Sequence, residues 1–108
     1  MGTSAVIRVE GNKSAELYKH WDGYTDATLP WLLKFNHQFT QMRGNDPEYK
    51  LAQLVRSSAL MQDEFGLDPS TDTGWGLCAV DSCYGDYQYL LKEDGGVQVR
   101  GEVHYYEN

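Results

Sequence analysis

The chain is poor in sulfur, proline and positive charge. Its two cysteines, Cys78 and Cys83, are too few for a disulfide framework. Their C-x4-C spacing has no second pair, so it is not a zinc signature. Residues Met1 to Val6 lack the basic start and apolar middle of an export signal. Both thiols are therefore expected to be reduced, with a Cys78–Cys83 bond the less favoured alternative. No apolar run approaches the roughly 20 residues that span a bilayer, which excludes a membrane protein of that type. Nine Lys plus Arg stand against sixteen Asp plus Glu, a net charge of −7 with pI about 4.7. A field of that sign opposes phosphate backbones, so nucleic acid is not an expected partner; it suits solubility and is compatible with a basic partner. The acids are spread along the chain, so an acidic decoy of nucleic acid is the weakest functional alternative.

What is present describes a packed globule. The 108 residues are 41% hydrophobic and 13% aromatic. A chain of this mass should bury about two-thirds of its unfolded surface, enough for one core and one domain.

Local patterns give the order of elements. Ser4 to Glu10 reads as a strand through β-branched Val6, Ile7 and Val9, and Ala15 to Trp21 alternates with period two. Gly11-Asn12-Lys13 joins them as a hairpin turn. Leu29 to Arg43 predicts a helix, with Thr28 as cap, Pro30 in the first turn and Gly44 as terminator. Its apolar stripe is Leu32, Phe35, Phe39 and Met42. Asp46-Pro47-Glu48 opens a second helix, which the apolar pattern carries through Met61 to Phe65-Gly66. Three strands follow: Trp75 to Val80, Tyr87 to Lys92, and Val97 to Tyr105. Asp94-Gly95-Gly96 is the turn between the last two, and Gly101 is read as a bulge. The expected fold is α+β: a mostly antiparallel sheet of about five strands in the order ββααβββ, with both helices, antiparallel to each other, on one face. Period-two alternation leaves the other face for water or a partner.

Several blocks carry a resemblance: Leu17-Tyr18-Lys19-His20-Trp21-Asp22-Gly23-Tyr24, Leu29-Pro30-Trp31-Leu32, Asp46-Pro47-Glu48-Tyr49-Lys50, Arg56-Ser57-Ser58-Ala59 and Thr73-Gly74-Trp75-Gly76. They resemble small acidic proteins of unknown function from bacteria, archaea and phages, often carried in mobile elements such as integron gene cassettes. The resemblance implies a stand-alone accessory protein, cytoplasmic in location. None of these blocks has assigned chemistry, so no catalytic residue carries over.

Candidate chemistry is sparse. His20 and Asp22 share a face at a strand end, which suits a general base and its orienting carboxylate acting on a polar metabolite. The same spacing suits a hydrogen-bonded pair that fixes the turn, the more economical assignment. Asp68 to Gly74 alternates acids and hydroxyls but departs from a calcium loop at its sixth and twelfth positions, so it reads as a polar turn. His37 and His104 lie apart from His20, and no metal or cofactor is expected.

The aromatic residues are more informative. The chain has eight Tyr and three Trp, and the tyrosines are too many for a small core to bury with satisfied hydroxyls. Trp21, Tyr24, Trp75, Tyr87 and Tyr89 are the expected ligand- or partner-binding residues. They point to a non-enzymatic interaction module with an aromatic sheet face or cleft, engaging a protein, a small ligand or a second copy as a homodimer.

Overall fold

The computed structural model describes residues 3–59 and 74–107. Among the described residues, six strands and two helices run in the order β1 (Ala5–Val9), β2 (Ala15–Lys19), α1 (Thr25–Arg43), α2 (Pro47–Ala59), β3 (Trp75–Ala79), β4 (Tyr87–Leu91), β5 (Val97–Val99) and β6 (Glu102–His104). The class is α+β as expected. All strands join one sheet in the order β3-β2-β1-β4-β5-β6. Four of its five pairings are antiparallel, and β1 with β4 is parallel.

The sixth strand corrects the sequence reading at a single glycine. Gly101 is not a bulge. Arg100 and Gly101 have φ of 52° and 81° and form a two-residue turn between β5 and β6. Positive φ at both positions is the geometry that twists with the strands it joins.

Core packing follows from register. Ala5, Ile7 and Val9 of β1 share a face with Leu17, Tyr89, Leu91, Val97 and Val99. Leu32 of α1 and Leu51 and Leu54 of α2 close over them. The helices are antiparallel neighbours: Trp31 near the start of α1 bonds Ser57 near the end of α2, while Arg43 at the end of α1 stacks on Tyr49.

Helix α1 begins four residues before the expected start. Its first turn is closed by the Tyr24 carbonyl accepting from the Ala27 and Thr28 amides. Thr28 is therefore not the cap. It lies inside the helix, buried, with its hydroxyl donating to the Asp22 carbonyl at 2.7 Å. The inward stripe is Thr28, Leu32, Asn36 and Phe39. Met42 falls outside it, 85% exposed, and Phe35 is half-buried. Asn36 tolerates burial because its amide donates to the Lys92 and Gly96 carbonyls, tying α1 to the β4–β5 hairpin. Gly44, at φ 70°, closes the helix by donating to the Thr40 carbonyl, as anticipated. The predicted continuation of α2 beyond residue 59 and the polar turn at 68–73 lie outside the described residues.

The second face of the sheet is not simply open. β3 and β4 run in the same direction on opposite sides of β2 and β1, so residues 80–86 must return along the sheet. They do so as a strap over the face away from the helices. A disulfide between Cys78 and Cys83 closes the start of this strap, correcting the expectation of free thiols. The Asp81 amide donates to the buried Glu16 carboxylate, and Gly85 lies directly on the β1 backbone. Val6, on this face, is fully buried.

Candidate functional site

Strand β2 ends in a compact corner that leads into α1. Lys19 turns its ammonium inward and donates to the Trp21 and Asp22 carbonyls, at 2.6 and 2.9 Å. Burial pushes its pKa down, against the pull of nearby Asp22. The ammonium also sits 5.6 Å from the Trp75 ring, which meets Trp31 edge-on at 5.6 Å. Asp22 adopts φ 56°, so the chain reverses sharply, and its carbonyl receives both Lys19 and Thr28. These internal bonds fix the corner from beneath.

The expected recognition residues separate into two groups. Trp21 and Tyr24 project from the corner, 44% and 41% exposed. The Trp21 ring lies against Gly74, where a Cβ would come within 2.4 Å of it. Trp75, Tyr87 and Tyr89 face the helices instead: Trp75 pairs in register with Lys19, Tyr87 with Ala5 and Tyr89 with Ile7. Tyr89 is 1% exposed and its hydroxyl donates to the Gly23 carbonyl, so it is a core residue rather than a surface anchor. Trp75 and Tyr87 are half-buried against the same core. The aromatic sheet face thus belongs to the interior, because the helices cover the side on which those strands place their rings.

His20 and Asp22 are not brought together as an acid–base pair. His20 is exposed, and its Nδ1 is hydrogen-bonded to the Tyr18 hydroxyl at 2.8 Å. Asp22 engages its neighbours through its backbone carbonyl. Among the described residues, no group of three His, Cys, Asp or Glu side chains is placed to hold a metal ion.

A groove that the sequence did not reveal lies between the first half of α1 and the segment after β6. It is open to solvent and encloses about 720 Å³. Leu29, Pro30 and Leu33 form its floor, Tyr105 and Tyr106 its far wall, and Thr25, Asp26 and Glu107 its rim. Among the described residues, no lysine or arginine lines it. Both tyrosines are held from outside. The Tyr105 hydroxyl donates to Asp94 at 2.7 Å, and the Tyr106 ring packs 5.1 Å from His37. That hydrogen bond raises the Tyr105 pKa, while the Gly96 amide and then Tyr105 keep the Asp94 carboxyl below its usual range. The signal available in sequence was Tyr105-Tyr106-Glu107, but nothing local shows that this segment crosses α1.

No helix among the described residues is long and apolar enough to cross a membrane. Searched against family models, curated proteins and solved structures, the chain matches none.

Proposed function

We propose that the protein is a non-enzymatic binding module that holds a cationic, apolar-bearing segment of a partner protein in the groove between α1 and the C-terminal segment. The observation that carries this reading is the lining itself: an aliphatic floor, two braced tyrosines, and a rim whose charged groups, among the described residues, are the carboxylates of Asp26 and Glu107. An apolar floor gains by excluding water, and rim carboxylates favour a basic occupant while discouraging an acidic one. The net charge of −7 adds long-range attraction of the same sign and opposes self-association through this surface. Trp21 and Tyr24, exposed on the corner that leads into α1, are proposed as further aromatic anchors.

Titration with an amphipathic leucine–lysine peptide, followed by amide chemical shifts, tests this. Shifts should concentrate at Thr25, Leu33 and Tyr106. They should vanish in Asp26→Lys/Glu107→Lys and weaken in Trp21→Ala/Tyr24→Ala, with circular dichroism unchanged. A glutamate-bearing peptide of the same pattern should not bind. Equal binding of both peptides, or shifts that survive the charge reversal, would remove the groove from consideration.

A further inference from the structure

The strap over the outer sheet face joins three features that fold stability alone does not require to coincide. First, Cys78 on β3 and Cys83 in the strap form a disulfide that encloses Ala79, Val80, Asp81 and Ser82 in a small ring. Second, Asp81 inside that ring holds φ at 67°, a left-handed conformation that is unfavourable for a non-glycine residue. Third, Asp81 is the residue that completes an ion pair between the buried Glu16 and the partly exposed Arg8. Its amide donates to Glu16 Oε1 at 3.1 Å, and its carboxylate meets the Arg8 guanidinium at 2.8 Å. Glu16 is fully buried on this face, and Arg8 reaches it through Nε at 3.1 Å. The second carboxylate oxygen of Glu16 has no hydrogen-bond partner, so the pair depends on the few donors the strap and Arg8 supply.

We infer that the Cys78–Cys83 bond is a thiol-exchange site, and that its redox state sets whether the strap closes over the Arg8–Glu16 pair. Both cysteines are half-buried rather than sealed in the core. The reductant is a dithiol. One of its thiolates attacks a sulfur of the bond, forming a mixed disulfide and expelling the other cysteine as a thiolate. The second thiol of the reductant then displaces the first cysteine. The dithiol leaves as a cyclic disulfide, having given up two electrons, and the protein keeps two thiols. Opening the ring removes one restraint on the left-handed Asp81 and leaves the turn in which the Ser82 amide donates to the Ala79 carbonyl at 3.0 Å. Relaxation of Asp81 withdraws both of its contacts with the pair. The far end of the strap remains pinned: Ser4 and Asp86 bond each other through backbone and side chain, and Tyr87 donates to the Ser4 carbonyl. The near end is pinned too, since the Val80 amide donates to the Ser14 carbonyl at 3.3 Å, so the change is local, lifting residues 81–83 and uncovering Glu16 while β1 and β4 stay paired. Arg8 also lines a shallow polar groove with Gln88, Leu90, Gln98 and Arg100, so loss of Asp81 alters the charge presented there.

Amide hydrogen exchange on the intact protein, with and without dithiothreitol, tests this. Thiol alkylation followed by mass measurement counts the opened bonds. Reduction should speed exchange of the Asp81 amide by roughly tenfold or more and leave Ile7 and Tyr89 protected. Cys78→Ser/Cys83→Ser should show the fast Asp81 exchange without reductant and no further response to it. Unchanged Asp81 protection in the reduced protein would overturn the inference. So would a bond that dithiothreitol cannot reduce under native conditions. Global loss of protection on reduction would overturn it as well, because the bond would then be a staple for the whole fold.

Discussion

The Tyr89 hydroxyl donates to the Gly23 carbonyl at 2.6 Å, linking a central strand to the corner that launches α1. Burial, reinforced by nearby Tyr87, pushes the Tyr89 pKa up to about 12. An unfolded tyrosine titrates near 10, so the folded state holds its proton where the unfolded chain has lost it. Stability from this group is complete below about pH 10 and is lost as pH rises towards 12. Tyr89→Phe should cost about 1–2 kcal/mol at pH 8, because a buried carbonyl loses its donor. The gap between wild type and variant should close between pH 10 and 12. Urea unfolding at pH 8, 10 and 11 measures both effects, and a gap independent of pH would show that Tyr89 ionises as it does in water.

Lys50 carries the opposite kind of burden. Its side chain is buried, with a hydrogen bond to the Lys92 carbonyl at 3.3 Å and the Phe39 ring 5.5 Å away. Burial pushes its pKa down despite the more distant attraction of Glu10, Glu93 and Asp94. A lysine whose folded pKa is lowered penalises folding while both states are charged. That penalty shrinks as pH rises above the folded pKa towards the unfolded value near 10.4. Lys50→Met keeps the volume and removes the charge, and the Lys92 carbonyl retains Asn36 as donor. The variant should be more stable by about 1 kcal/mol at pH 7, read as a higher urea midpoint. A lower midpoint would mean that the three carboxylates outweigh the loss of water.

These two residues show what was legible in the sequence and what was not. Alternation placed Tyr87, Tyr89 and Leu91 on one side of a strand, and that is correct. A period of two is symmetric, however, and cannot say which side the helices cover, so core tyrosines were read as surface anchors. The Asp94-Gly95-Gly96 turn and the Gly44 stop were legible because their chemistry is local. Thr28 and Asn36 were not, since a buried polar residue reveals itself only through a distant partner: Asp22 for one, and Lys92 with Gly96 for the other. Arg100-Gly101 was missed because arginine is an unusual occupant of positive φ. The groove beneath Tyr105 and Tyr106 depends on how the end of the chain crosses α1, which no periodicity encodes.

The disulfide should matter modestly to global stability. Closing a loop of six residues removes chain entropy worth about 2 kcal/mol. Cys78→Ser/Cys83→Ser should therefore melt roughly 8–10 °C lower while remaining cooperative. Differential scanning calorimetry checks this. A drop well beyond that range would mean that the bond supports β3 pairing as well as the strap.

Gly85 gives the sharpest test of the strap's position. A Cβ at this residue would lie 2.7 Å from the Val6 amide nitrogen and 2.8 Å from the Ala5 carbonyl carbon. Both are backbone atoms of a central strand and cannot turn aside as a flexible side chain would. Gly85→Ala should therefore cost about 2–3 kcal/mol, with Val6 losing its protection from exchange as the strap lifts. Gly76 on edge strand β3 is the matched control. Its nearest neighbour to an added Cβ is the Tyr18 ring at 3.8 Å, an ordinary contact. Gly76→Ala should be neutral or stabilising by about 0.5 kcal/mol, because alanine restricts the unfolded chain without straining this strand. If the two alanines have equal effects on the denaturation midpoint, the strap does not lie on β1, and the closed outer face goes with it.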